Sequence, residues 1–222
     1  LSAASGDKSY SETSEVFVHL YAQSEAKFDN GLTIRQTTNY PWDGAITIQV
    51  TPPTPNKFAI HLRIPSWCDE WSISINGETI HPEVKNGYAA ITRGWREGDA
   101  LTLNLEMPIR FVYANPNVRQ MIGRVALQRG AILYCVESAD NGEGLEKIAN
   151  SNHGWVKEES NTTQGGITLL RGQGIKIDGD WGQQLYHFDQ PQSKKIDLIA
   201  VPYCVWGNRD VGEMRVWLRE LQ

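Results

Sequence analysis

The stretch Phe58-Ala59-Ile60-His61-Leu62-Arg63-Ile64 decides the fold class. Phe58, Ile60, Leu62 and Ile64 alternate with Lys57, Ala59, His61 and Arg63. A period of two sends alternate side chains of an extended chain to opposite faces. One face is apolar and the other largely polar, so the expectation is a half-buried antiparallel strand, with Leu62 in a core and Arg63 towards water.

The same signature recurs on either side. Val16, Val18 and Leu20 alternate with Phe17, His19 and Tyr21, and both sets are bulky, as in a strand covered on both faces. Leu32-Thr33-Ile34 follows, then Ala45 to Val50, where Ile46, Ile48 and Val50 share a face. Trp71, Ile73 and Ile75 lead into Asn76-Gly77, a dipeptide suited to a tight primed turn, and on into Thr79-Ile80-His81. After Gly87, Tyr88 to Ile91 reads as a strand, Trp95 to Asp99 as a turn, and Leu101, Leu103, Leu105 and Met107 as another one-faced strand. Strands this short and this regularly spaced describe a sandwich.

Pro108 and Asn115-Pro116 then interrupt the pattern, because proline lacks the donor that a central strand needs. The expected division is residues 1–113 and 114–222, each an antiparallel, jelly-roll-like β-sandwich, giving an all-β tandem with few helices. In the second half strands are expected at Gly123 to Leu127, Ala131 to Glu137, Ile167 to Leu170, Ile175 to Ile177, Lys195 to Val205 and Met214 to Leu218. Apolar Leu198 to Val205 and Met214 to Leu218 lie within hairpin reach across a turn at Trp206, Asn208 and Arg209, whose guanidinium could stack on the indole or bond the turn carbonyls. Ser138 to about Gly166 has no periodicity and reads either as an ordered functional loop or as a floppy insertion.

Composition excludes several classes. With 222 residues, 40% hydrophobic and 21% charged, the chain is long enough for two domains of about 100 residues and is not disordered over most of its length. A formal net charge of -5 without any basic run supplies no footprint for nucleic acid. No apolar run reaches the roughly 18 residues of a membrane helix, so a soluble protein is expected. Residues 1–14 are small and polar, unlike a signal peptide, and the start at Leu1 reads as a cut within a longer protein.

Glycoside hydrolysis needs two flanking carboxyl groups. Asp43, Asp69, Glu70, Glu97, Asp99 and Glu137 are available, but Asp43-Gly44 and Glu97-Gly98-Asp99 are also what tight turns require. Cys135-Val136-Glu137 would put a thiolate and a carboxylate on one face of a strand, yet no second Cys or His is near in sequence, so Cys135 reads as a core residue. The cysteines Cys68, Cys135 and Cys204 are too far apart for a disulfide framework and read as buried thiols. His19, His61, His81, His153 and His187 lack metal-ligand spacing, and Gly165-Gly166 reads as a plain turn. No catalytic and no metal-binding residue is assigned. Trp42, Trp67, Trp95, Trp155, Trp181 and Trp206 lie in or beside turns, where an indole can stack on a sugar or plug a sandwich. Trp42, Trp67, Trp206 and Arg209 are the candidates for substrate contact.

Three ordered stretches resemble glycoside hydrolase family 127. They are Val18-His19-Leu20-Tyr21 through Asn39-Tyr40-Pro41-Trp42-Asp43-Gly44 to Leu62-Arg63-Ile64-Pro65-Ser66-Trp67-Cys68; Met107-Pro108-Ile109-Arg110 through Gly123-Arg124-Val125-Ala126-Leu127-Gln128-Arg129-Gly130 to Cys135-Val136-Glu137; and Val201-Pro202-Tyr203-Cys204-Val205-Trp206-Gly207-Asn208-Arg209 with Gly212 to Trp217. The resemblance is to the middle and C-terminal regions of that family. It implies an upstream six-hairpin α/α barrel that removes β-linked L-arabinofuranose with retention. The nucleophile it implies belongs to an adjacent Cys-Cys pair bound to zinc with another cysteine and a glutamate. No Cys-Cys pair occurs here, so no catalytic residue and no cofactor carries over to this chain. The resulting expectation is a non-catalytic region of a bacterial enzyme of the cytoplasm or periplasm that packs on and stabilises the barrel and contributes to its rim or to a homodimer. The competing readings are a carbohydrate-binding module for arabinose-containing plant glycans and an autonomous hydrolase.

Overall fold

In the computed structural model, which describes residues 2–4, 15–151, 154–160, 166–177 and 183–221, the deciding stretch is the central strand Asn56–Arg63 of a five-stranded sheet. Its neighbours are Glu15–Val18 on one side and Tyr88–Trp95 on the other, with Ser2–Ala4 and Val84–Lys85 at the edges. A six-stranded sheet runs in the order Ser24–Lys27, Thr33–Thr38, Ala45–Thr51, Asp99–Leu105, Trp71–Ile75, Glu78–Ile80. The two sheets belong to one compact unit, Leu1–Met107.

The alternation sets the core. Phe58, Ile60 and Leu62, with Val16, Val18, Ala89 and Ile91, join Ile34, Ile46, Ile48, Val50, Leu101 and Leu103 in one buried cluster. Burying each such side chain is worth about 1.5–3 kcal/mol. Trp95, expected in a turn, ends its strand fully buried, and its indole N–H donates to the Phe58 carbonyl at 3.0 Å, which satisfies the one polar atom it takes inside. Asn76 and Gly77, at φ 51° and 88°, make the primed turn, and Ile75 pairs with Glu78 across it. Asn76 also reaches the next turn, donating from Nδ2 to Asp99 at 2.8 Å and accepting the Ala100 N–H at 2.9 Å. The Asn76 hydrogen bond, with the one from the Arg96 N–H, holds the Asp99 carboxyl below its ordinary value.

Three expectations for this unit change. Asn56–Arg63 is antiparallel to Tyr88–Trp95 but parallel to Glu15–Val18, a relation that no local pattern encodes. Alternation stops at Val18, so Leu20 is 79% exposed while Tyr21 is buried. The face carrying His61 and Arg63 is not simply solvated: both side chains are half-buried.

The second compact unit is Pro108–Gln222. The division falls after Met107 rather than after Tyr113, because Ile109–Val112 pairs with Arg124–Arg129 and so belongs to the second unit. Hydrogen bonding joins its strands into one nine-stranded sheet rather than two separate ones. Pairings run from Arg124–Arg129 through Ile132–Glu137, Ser193–Pro202, Ile167–Ile177, Ile148–Asn150 and Leu218–Glu220, and return to Arg124–Arg129.

The described residues of the aperiodic stretch from Ser138 form ordered short elements. These are the helical turn Ser138–Asn141, the 3-10 turn Leu145–Lys147 and strands Ile148–Asn150 and Val156–Ser160, with Leu145, Ile148, Ala149 and Asn150 buried. The expected hairpin between Leu198–Val205 and Met214–Leu218 does not form. Ser193–Pro202 and Met214–Arg215 both pair with Ile132–Glu137, and Leu218–Glu220 pairs with Arg124–Arg129. No described helix is long and apolar enough to cross a membrane.

Candidate functional site

Trp206 and Arg209 lie on the segment between Ser193–Pro202 and Met214–Arg215, which opens with the 3-10 turn Tyr203–Val205. Arg209 neither stacks on Trp206 nor serves turn carbonyls in its described contacts. Its guanidinium donates from Nη1 to Asp140 Oδ1 at 2.7 Å and from Nη2 to both Asp140 Oδ2 and Glu137 Oε2 at 2.5 Å. The Glu137 side chain is only 8% exposed, and its other oxygen accepts the Gly207 N–H at 2.8 Å. A buried carboxylate is costly unless it is paired and hydrogen-bonded, and here both oxygens are taken. Its hydrogen bonds to Asp140 and then to Glu137 hold the Arg209 guanidinium more firmly protonated than an ordinary arginine.

The far end of the segment is tied to the same strand end. Glu213 N–H donates to Ser138 Oγ and Ser138 N–H to the Glu213 carbonyl, each at 3.0 Å, while the Glu213 carboxylate accepts the Leu145 N–H. Glu137, proposed by sequence as a candidate acid, is therefore a clamp on this segment. What the segment offers to solvent is a ring pair: Tyr203 and Trp206 are 44% and 43% exposed, 6.4 Å apart and tilted by 33°.

In the first unit, Trp42 and Trp67 are both half-buried. Trp42 donates its backbone N–H to Asn39, and the neighbouring Asp43 carboxylate accepts the Ala45 N–H at 3.1 Å, the local turn bond foreseen for it. Trp67 packs against the core and hydrogen-bonds the side chain of Tyr40, whose hydroxyl burial pushes up. Of the other turn tryptophans, Trp155 donates to Asn150 Oδ1 at 2.7 Å and lies flat against Gly172, where an added Cβ would meet the indole at 2.2 Å. Trp181, His153 and Gly165 lie outside the described residues.

Cys68 and Cys135 are buried, but Cys204 is exposed, because it sits on the 3-10 turn beyond the strand end. Burial, then the neighbouring Glu137, pushes the Cys135 thiol up to about 12. A thiol that stays protonated is a poor nucleophile. Iodoacetamide at pH 8 is therefore expected to modify Cys204 in the native chain and to reach Cys68 and Cys135 only after unfolding, as read by peptide mass spectrometry. Among the described residues, no three or more His, Cys, Asp or Glu side chains are grouped so as to hold a metal ion.

One constellation went unread in the sequence. On the outer face of the five-stranded sheet, the Phe17 and His61 rings stack at 4.2 Å and 8°, and Tyr88 meets Phe17 edge-on at 5.6 Å. His19 Nδ1 and the Tyr88 hydroxyl are hydrogen-bonded at 2.7 Å, and the Arg63 guanidinium lies 5.4 Å from the Tyr88 ring centre. The signal was present as same-face positions on three segments, but only strand register brings them together. In the second unit, Tyr113, Met121, Ile122, Arg124 and Glu220 line a cleft of about 250 Å³, across which the Tyr113 hydroxyl donates to Glu220 at 2.9 Å.

The chain is thus built of two compact all-β units that follow one another in sequence. The model of the β-L-arabinofuranosidase GH127 middle domain matches residues 15–107, and that of the glycoside hydrolase family 127 C-terminal domain matches residues 109–219. The chain belongs to glycoside hydrolase family 127. It is 30% identical over 215 residues to a non-reducing end β-L-arabinofuranosidase of Bifidobacterium longum subsp. longum, covering 92% of this chain and 33% of that protein. The crystal structure of a GH127 β-L-arabinofuranosidase from Geobacillus stearothermophilus T6 superposes with a TM-score of 0.88 at 36% identity, over 96% of this chain and 34% of that one. A GH127 β-arabinofuranosidase of solved structure gives a TM-score of 0.82 at 29% identity, over 94% and 35% of the two chains. The chain thus spans about a third of the length of these relatives.

Proposed function

We propose that this chain is the non-catalytic β region of a glycoside hydrolase that releases β-L-arabinofuranose from plant glycans, and that it supports an α/α catalytic barrel in the same polypeptide. One observation carries the reading: middle and C-terminal family models tile residues 15–219, while the chain amounts to a third of a β-L-arabinofuranosidase relative. The site chemistry agrees with it. Glu137 is engaged on both oxygens, Cys135 is a buried, protonated thiol, and Asp43 and Asp99 serve turns.

The test compares residues 1–222 with the full-length protein on an aryl β-L-arabinofuranoside, with zinc measured by elemental analysis. Turnover and bound zinc are expected in the full-length protein, and neither in residues 1–222. Turnover by the short chain that is lost on replacing one of its own residues would defeat the reading.

The exposed Tyr203 and Trp206 rings favour a second reading, a carbohydrate-binding module. Their 33° tilt makes a poor flat platform, and Arg209 is occupied by two carboxylates. Arabinan binding by the chain, lost in Trp206→Ala at unchanged stability, would establish that second reading.

A further inference from the structure

We propose that the outer face of the five-stranded sheet is a seat for the portion of the parent polypeptide preceding the middle domain, which closes over the row Phe17, His61 and Ala90. The inference rests on the accessory reading above. Register sets these residues side by side across three strands: Phe17 is opposite His61, and His61 is opposite Ala90. Tyr88 and Arg63 form the next step of the face, linked by the guanidinium over the ring.

Two features separate this face from an ordinary solvated one. First, His61 Nε2 is buried without a hydrogen-bond partner, whereas buried polar atoms are nearly always satisfied. The Glu15 carboxylate stands 3.8 Å from it, beyond hydrogen-bond length. A carbonyl or hydroxyl arriving from outside the described face supplies the missing partner. Second, Phe17 and His61 stack on each other, so each ring face turned to its neighbour is closed to a ligand. Sugar recognition uses open ring faces, and this geometry therefore favours a polypeptide over a glycan.

The parent chain itself is the fitting occupant. This sequence makes up 33% and 34% of two relatives, and a family model identifies residues 15–107 as a middle domain. A covalently attached neighbour acts at an effective concentration that a free partner rarely matches.

Ala90 and Thr79 are both exposed here, Thr79 on a strand of the other sheet, so they form a matched pair of probes. Ala90→Cys and Thr79→Cys would be made separately in the full-length protein and treated with N-ethylmaleimide, each site being read by peptide mass spectrometry. The thiol at position 90 is expected to react at least about tenfold more slowly, since reaction there requires local opening. Equal rates overturn the proposal. So does protection that disappears on dilution to monomer, which would assign the face to a second copy. As a second measurement, Ala90→Arg in the full-length protein is expected to lower the melting temperature relative to Thr79→Arg, and indistinguishable melts overturn the proposal. Failure here leaves the accessory reading intact, because that reading is defeated only by catalysis or glycan binding in residues 1–222.

Discussion

Leu62→Ala is expected to lower the unfolding free energy of the first unit by about 2–5 kcal/mol, the range for removing a buried leucine and leaving a cavity. Leu62 is fully buried on the central strand, with strands hydrogen-bonded on both sides, so its neighbours have little freedom to collapse into the space. Arg63→Ala is the informative companion. Were its face open to water, the cost would be a few tenths of a kcal/mol, as at ordinary surface positions. Arg63 instead lies over Tyr88 and against Gly87, so a loss of about 1 kcal/mol is expected, mainly from the packing of its stem and the cation–π contact. Denaturant melts of the two variants decide the matter. A Leu62→Ala cost no larger than that of Arg63→Ala would mean that the assigned core face is wrong.

Arg209→Ala is expected to cost about 2 kcal/mol in the second unit. Breaking a buried ion pair costs about 3–5 kcal/mol because one charge is left uncompensated. The Arg209 side chain is 34% exposed, however, so water can enter beside Glu137 and reduce that figure. Arg209→Lys should recover only part of the loss, since an ammonium cannot reproduce the planar fork that serves Asp140 and Glu137 together. Combining Arg209→Ala with Glu137→Gln should restore stability relative to Arg209→Ala alone, because the residual buried charge is gone. A cycle with no coupling between positions 137 and 209 would show that the clamp contributes nothing to holding the segment.

Both predictions concern residues whose types were legible in the sequence but whose surroundings were not. The alternation from Phe58 to Ile64 correctly placed Leu62 inside, because side-chain direction in an extended strand follows from a local period of two. Asn76-Gly77 specified its turn because positive φ is a local steric demand. By contrast, Arg209 and Glu137 stand far apart in the chain, and their pairing depends on where Ile132–Glu137 ends relative to a segment arriving from another strand. The same holds for the hairpin that did not form: apolar character marked Leu198 to Val205 and Met214 to Leu218 as strand material, but proximity in sequence did not make them partners. Apolar content was also too weak a signal for Ser138 to Gly166, where single buried residues such as Leu145 and Ile148 anchor short elements without any repeat.

The sequence by itself determined the all-β class, a two-unit organisation, membership of the family and most strand positions, since each follows from local periodicity, turn sterics or ordered motifs. Tertiary structure decided which strands pair and which run parallel, where the unit boundary falls, that Glu137 clamps Arg209, and that Phe17, His61 and Tyr88 share one outer face. Those outcomes rest on register between segments far apart in the chain. A one-residue slip there would turn every side chain to the opposite face, and it is the packing of the whole unit that fixes the register.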